Sequence, residues 1–253
     1  MQKFLTSFIT GIIAIFLLNN IKLIFIAFGL PIFWTNILGL ILLLEVVAKC
    51  LLFKAVPPFV VQKTNLDAHR HLNLDLDRFH AYCGNLEAIG FKKITDYTSP
   101  AIQGMARLFY FPQDNCYAEV GMLAGNPVFC SIVSGLERGW FVAATNNNPS
   151  TSIKAISCVF LGLPHTIYKI FDEEPKQLLE SFLAWQSEIK HGLKVETIAI
   201  ADPEMYFTWE ANKRTKQRQR LMSKSIIVSL VKMFLFSLQP KSEWLGEYPK
   251  YSK

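Results

Sequence analysis

Between residues 4 and 53 only three charged side chains, Lys22, Glu45 and Lys49, interrupt an otherwise apolar run. A spanning helix needs about 20 apolar residues, so a run of this length predicts two membrane spans rather than a soluble core. The break falls in GLPIFWTN, residues 29–36. There Gly, Pro and Asn supply a turn, and Phe33 and Trp34 supply rings suited to the headgroup level. Helices are expected over about 4–28 and 33–53, a hairpin anchor within residues 1–56. A break at NNIK, residues 19–22, would leave a first segment of only about 15 residues, the length of a signal-peptide core. The chain nevertheless continues as LIFIAFGL, with no small-residue cleavage site.

The charges in the run have physical readings. Lys22 must snorkel towards the interface. Glu45 and Lys49 stand four apart, one helical turn, and can neutralise each other near the end of the second span; a functional intramembrane carboxylate is the rival reading. Lys3 precedes the first span, and Lys49, Lys54, Lys63 and Arg70 cluster after the second, so the positive-inside bias places both termini in the cytoplasm. The expectation is a multi-pass membrane protein.

The whole chain of 253 residues is 51% hydrophobic and 18% charged, too apolar for a plain soluble protein and too charged for a bundle of spans. Length leaves room for one ordinary domain beyond the anchor. The five cysteines, Cys50, Cys83, Cys116, Cys130 and Cys158, are odd in number and show no CxxC spacing. They read as reduced, buried small hydrophobes rather than a disulfide framework or zinc site.

After Pro57 and Pro58 a connector is expected over residues 57–72, then an α+β domain over 73–202. In NLDLDRFHAYCGNLEAIGF the apolar residues Leu76, Phe79, Cys83, Leu86 and Ile89 recur at three and four, Asn73 or Asp75 can cap the start, and Gly90 can close the end. From Phe91 the texture becomes short β-rich runs: FKKITDY, ARLFYF, CYAEVGMLA, PVFCSIVS and WFVAAT. The turns PQDN, GNP and GLERG between them are hairpin-sized, which forces antiparallel neighbours and a meander. In the third run Cys116, Ala118, Val120 and Met122 alternate with Tyr117, Glu119 and Gly121, so one face is expected to be buried under the preceding helix. HTIYKIFD reads as a sixth strand and EEPKQLLESFLAWQSEIKHG as a helix whose end charges suit its dipole.

The motifs LEAIGF at a helix end, a strand bearing Tyr97, FYFPQDNCYAEV across a tight hairpin, and Thr145 with Asn146 after a strand together resemble an uncharacterised bacterial family, often from cyanobacteria. The resemblance covers roughly the water-soluble part and implies no activity.

Residues 203–253 form a basic, then amphipathic helical segment. Most of the formal net charge of +6 is local to Lys213, Arg214, Lys216, Arg218, Arg220 and Lys224. Lys213, Lys216, Arg220 and Lys224 repeat at three and four, one helical face, and attract anionic headgroups at about 1 kcal/mol each. The next residues, 225–238, place Ile227, Val231, Phe234 and Leu238 opposite Ser225, Ser229 and Lys232. About 14 residues reach only about 21 Å, too short to span, so this segment should lie in the interface plane. Membrane-surface contact is therefore assigned to Lys213, Lys216, Arg220, Lys224 and Phe234. Nucleic acid is set aside because no aromatic RNA-binding strand, finger or helix-turn-helix accompanies the charge.

For chemistry, DAHRHLNLDLDRFH offers His69, His71, Asp77 and His80 as metal candidates, though the spacing fits no standard site and helix capping explains the acids. There is no nucleophile elbow or phosphate loop, His165 stands in a turn, and TNNN at residues 145–148 reads as loop. No catalytic residue and no cofactor is assigned. The expected function is a membrane-anchored, non-enzymatic domain that binds lipid or a protein partner. The alternatives are a membrane-bound enzyme acting on a lipid or small molecule, and an accessory subunit of a membrane complex.

Overall fold

A computed structural model of the chain describes residues 29, 31–64, 75–99, 104–123, 127–200, 202 and 204–245. The first span expected over about 4–28, with Lys22 and the alternative break at residues 19–22, lies outside these residues. The described chain divides into two units, one comprising Met1–Val56 with Ser225–Val228 and the other Pro57–Lys224 with Ser229–Lys253.

In the first unit, helix α1 runs from Ile32 to Ala55, 24 residues. At 1.5 Å per residue it is about 36 Å long, enough to cross the roughly 30 Å hydrocarbon core. Gly29, at φ +77°, makes the turn that precedes it, and Thr35 Oγ1 donates back to the Pro31 carbonyl at 3.2 Å. Leu40, Leu44, Val46 and Leu51 are exposed on it. Lys49 meets Glu45 at 3.0 Å, the expected one-turn pair. Among the described residues α1 is the one single helix that is long and apolar enough to span. Of the expected two-span hairpin, the described residues show one apolar helix, α1.

The second unit is built on one sheet. Its elements in chain order are β1 (Gln62–Thr64), α2 (Leu76–Ala88), β2 (Lys92–Ser99), β3 (Gly104–Phe111), β4 (Cys116–Leu123), β5 (Phe129–Leu136) and β6 (Trp140–Thr145). Then come α3 (Thr151–Ile156), β7 (Thr166–Ile170), α4 (Pro175–Leu193), α5 (Met205–Ser223), α6 (Ile226–Leu238, of which residues 226–228 group with the first unit) and β8 (Glu243–Leu245). The sheet order is β1 through β8 in sequence. Every neighbour is antiparallel except β6 and β7. That exception has a cause: α3 and the π-helical turn after it, Ser157–Leu161, supply the crossover that a parallel pair requires. The five hairpin strands follow the expected meander.

Helix α2 begins where Asp75 accepts from the Arg78 backbone N–H at 3.0 Å, and ends near Gly90 at φ +105°. Its buried face, Phe79, Cys83 and Leu86, joins Leu178, Phe182 and Trp185 of α4 over the Cys116, Ala118, Val120 and Met122 face of β4. The other face of the sheet is buried as well, contrary to a single buried side. Tyr97, Leu108, Tyr117 and Val133 pack there with Tyr206, and Met205, Phe207 and Trp209 of α5 press against them. The first turns of α5 are aromatic although the rest is basic, so the helix serves as the second cover of a three-layer core. Between β2 and β3 Arg107 makes a two-pronged pair to Asp96, 2.7 and 3.0 Å, with both side chains buried.

Two other boundaries differ from the sequence reading. The connector over 57–72 contains β1, which pairs Lys63 with Tyr97. The tail contains β8, which pairs Trp244 with Tyr168. The basic helix α5 and the apolar helix α6 meet at a bend of 110° around Ser223, Lys224 and Ser225. Residues 204–224 and 229–245 therefore belong to the second unit rather than to an appended segment.

Candidate functional site

Helix α5 positions most of what is chemically distinctive. Tyr206, Trp209, Lys213, Lys216 and Arg220 follow at three and four, so they share one face. Tyr206 and Trp209 already face the sheet. The cations after them are consequently turned the same way, towards the β5–β6 hairpin rather than outward. Lys213, Lys216 and Arg220 line one cavity of about 600 Å³, together with Trp209. Across it stand Arg138 of the hairpin turn, Trp140 and Phe141.

The wall is held by specific contacts. A Cβ added to Gly135 would lie 2.8 Å from Trp209 Cη2, so only glycine lets the indole lie against β5. Trp209 packs edge-on to Tyr117 and Phe141, at 5.6 and 5.9 Å between centroids. His165, in the turn before β7, stands edge-on to Trp140 at 4.8 Å. Arg138 and His165, at φ 58° and 59°, are two of the four left-handed non-glycine residues among those described, and both line this cavity. Such backbone is sparsely populated and collects at functional sites. Lys213 pairs with Glu210 and sits over the Phe141 ring at 5.4 Å.

A second cluster lies on the same side of the sheet. Glu119 of β4 accepts hydrogen bonds from the Tyr97 and Tyr206 hydroxyls at 2.6 and 2.5 Å, both on Oε2. Burial raises the Glu119 carboxyl above its ordinary range, against the two tyrosine hydrogen bonds that lower it. It borders a small hollow of about 150 Å³ with Met105, Phe129, Glu210 and Arg214.

The remaining expected site residues are placed as follows. Lys224 leaves the cation row and donates to the Val159 carbonyl; burial, then the nearby Arg220 and Lys232 charges, lowers it to about 8. Phe234 is exposed on α6. It belongs to a continuous stripe of exposed apolar residues, Ile227, Leu230, Val231, Phe234, Leu235 and Leu238, at three and four, while the polar Ser229 is buried.

Asp77 and His80 are exposed on α2, His69 and His71 lie outside the described residues, and no group of three metal-binding side chains occurs among those described. Asn146 closes its loop. Its Oδ1 accepts from the Cys130 N–H at 2.7 Å, and its Nδ2 donates to the Glu173 carbonyl at 3.1 Å and to Tyr82 Oη at 3.3 Å. Cys83, Cys116, Cys130 and Cys158 are buried thiols and Cys50 is exposed; burial pushes Cys83 up to about 12, which leaves it protonated and a poor nucleophile.

Sequence reasoning found the cation row and missed the aromatic wall opposite it. The spacing of Tyr206 and Trp209 with Lys213 was the available signal, since it ties the cations to a face that must pack. Comparison with protein-family models, curated proteins and solved structures gave no match to this chain.

Proposed function

We propose that this protein is a membrane-anchored, cytoplasm-facing binding protein whose α+β domain is seated on the bilayer surface and engages lipid without catalysing a reaction. The observation that carries the reading is the α6 stripe: six apolar side chains in helical register face outward while Ser229 of the same helix faces inward. A water-exposed stripe of this size is costly, at about 25 cal/mol per Å² of apolar surface, and entry into the acyl boundary removes the cost. The 13 residues of α6 are too short to span, which favours an in-plane orientation. Helix α1 supplies the permanent tether, the residues before it a second span, and the cations that follow it the cytoplasmic orientation.

Spin labels on the full chain in lipid vesicles test the seating. With Cys50 replaced by alanine, labels at Leu230→Cys and Phe234→Cys should be accessible to oxygen and shielded from a water-soluble nickel complex. A label at Lys241→Cys should show the reverse. Nickel accessibility at residues 230 and 234 equal to that at 241 would refute the seating.

A further inference from the structure

We infer that the cavity between α5 and the β5–β6 hairpin is a binding site for a phosphomonoester joined to an apolar body. The inference rests on the cavity alone and does not need α6 to touch a membrane.

Size comes first. About 600 Å³ falls within the roughly 300–1,000 Å³ range of small-molecule sites. Charge is next: four cationic side chains line the cavity and no aspartate or glutamate does. Glu210 offsets Lys213 from outside the lining. Among the described residues Arg138 and Lys216 have no ion-pair partner, and both are exposed at the cavity. From Lys213 to Arg220 the cations cover about 10 Å along α5, a row rather than a single point.

A monocarboxylate would leave most of that charge unmatched. A phosphomonoester carries about −1.5 to −2 at neutral pH and three acceptor oxygens, which several lysines and arginines can share. Aromatic rings line both sides of the cavity as well, Trp209 on α5 and Trp140 and Phe141 across from it. Trp209, Trp140 and Phe141 present ring surface that a phosphate alone would not use, so the site also asks for an apolar or aromatic group on the ester. Arg138, which lines this space, holds left-handed backbone, a conformation disfavoured for arginine and one that collects at functional sites.

Phenyl phosphate titrated into the detergent-solubilised full chain, followed by tryptophan fluorescence and phosphorus NMR line width, tests the assignment. Saturable binding is expected, at least tenfold tighter than for inorganic phosphate and absent for phenol. The variant Arg138→Ala/Lys216→Ala, changed at two exposed positions, should keep its unfolding midpoint and bind at least tenfold more weakly. Equal affinity for inorganic phosphate, binding of phenol, or an unchanged affinity in the double variant would each overturn the proposal. A competition arm identifies the source. Displacement of phenyl phosphate by vesicles containing phosphatidic acid, but not by phosphatidylcholine vesicles, assigns the phosphate to a lipid headgroup. Saturation by phenyl phosphate that the vesicles leave unchanged assigns it to a soluble ester, and either result supports the site.

Discussion

Glu119 shows how one residue can carry a pH dependence for the whole domain. An unfolded glutamate titrates near 4.5, and burial raises the folded value. The native state therefore keeps its proton to higher pH than the unfolded chain does. The stabilising contribution is complete below pH 4.5 and is lost as pH rises through the folded value. Glu119→Gln keeps an acceptor for the Tyr97 and Tyr206 hydroxyls and removes the titration. Its melting temperature should fall less than that of the parent between acid and neutral pH, and should exceed the parent's at pH 7. Parallel melting curves across that window would show that Glu119 does not titrate differently in the two states. Alternation along β4 already separated Glu119 from Cys116, Ala118 and Val120. It could not say that a tyrosine from residue 97 and another from residue 206 would meet it.

At the scale of elements, the decisive piece is α5. Its composition advertises charge, yet its first turns, Met205, Tyr206, Phe207 and Trp209, are buried or half-buried against the sheet. Because helical side chains repeat at three and four, the orientation of Trp209 dictates that of Lys213 and Lys216. The contact of Trp209 with Gly135 fixes that orientation. Gly135→Val should force the indole away from β5 and cost about 1–3 kcal/mol, read from the denaturant midpoint. Combining it with Trp209→Leu should recover part of the loss, because the clash partner is gone. Strictly additive losses would mean that the two positions do not oppose each other. The bend of 110° after Ser223 then sends the apolar stripe of α6 in a direction of its own.

For the whole molecule, the two units make different demands on solvent: α1 exposes leucine and valine along most of its length, whereas the sheet hides its apolar residues on both faces. The full-length protein is expected to stay in the membrane pellet after carbonate washing, and a reporter fused after residue 253 should be active only in the cytoplasm. Recovery in the carbonate supernatant, or an extracellular reporter, would remove the anchor reading. Much of this was legible in order of residues, because it depends on local chemistry. Apolar length marked α1, periodicity marked α2 and α4, and turn-sized gaps between alternating runs marked the meander from β2 to β6. What tertiary structure decided was everything that needs distant segments to meet. Three residues around Lys63 became an edge strand only because Tyr97 was there to pair with, the last strand formed only against Tyr168, and a row of cations became the lining of a cavity only because Trp209 had to pack. Spacing determines which side chains share a face; the partner that buries one part of that face determines where the rest of it points.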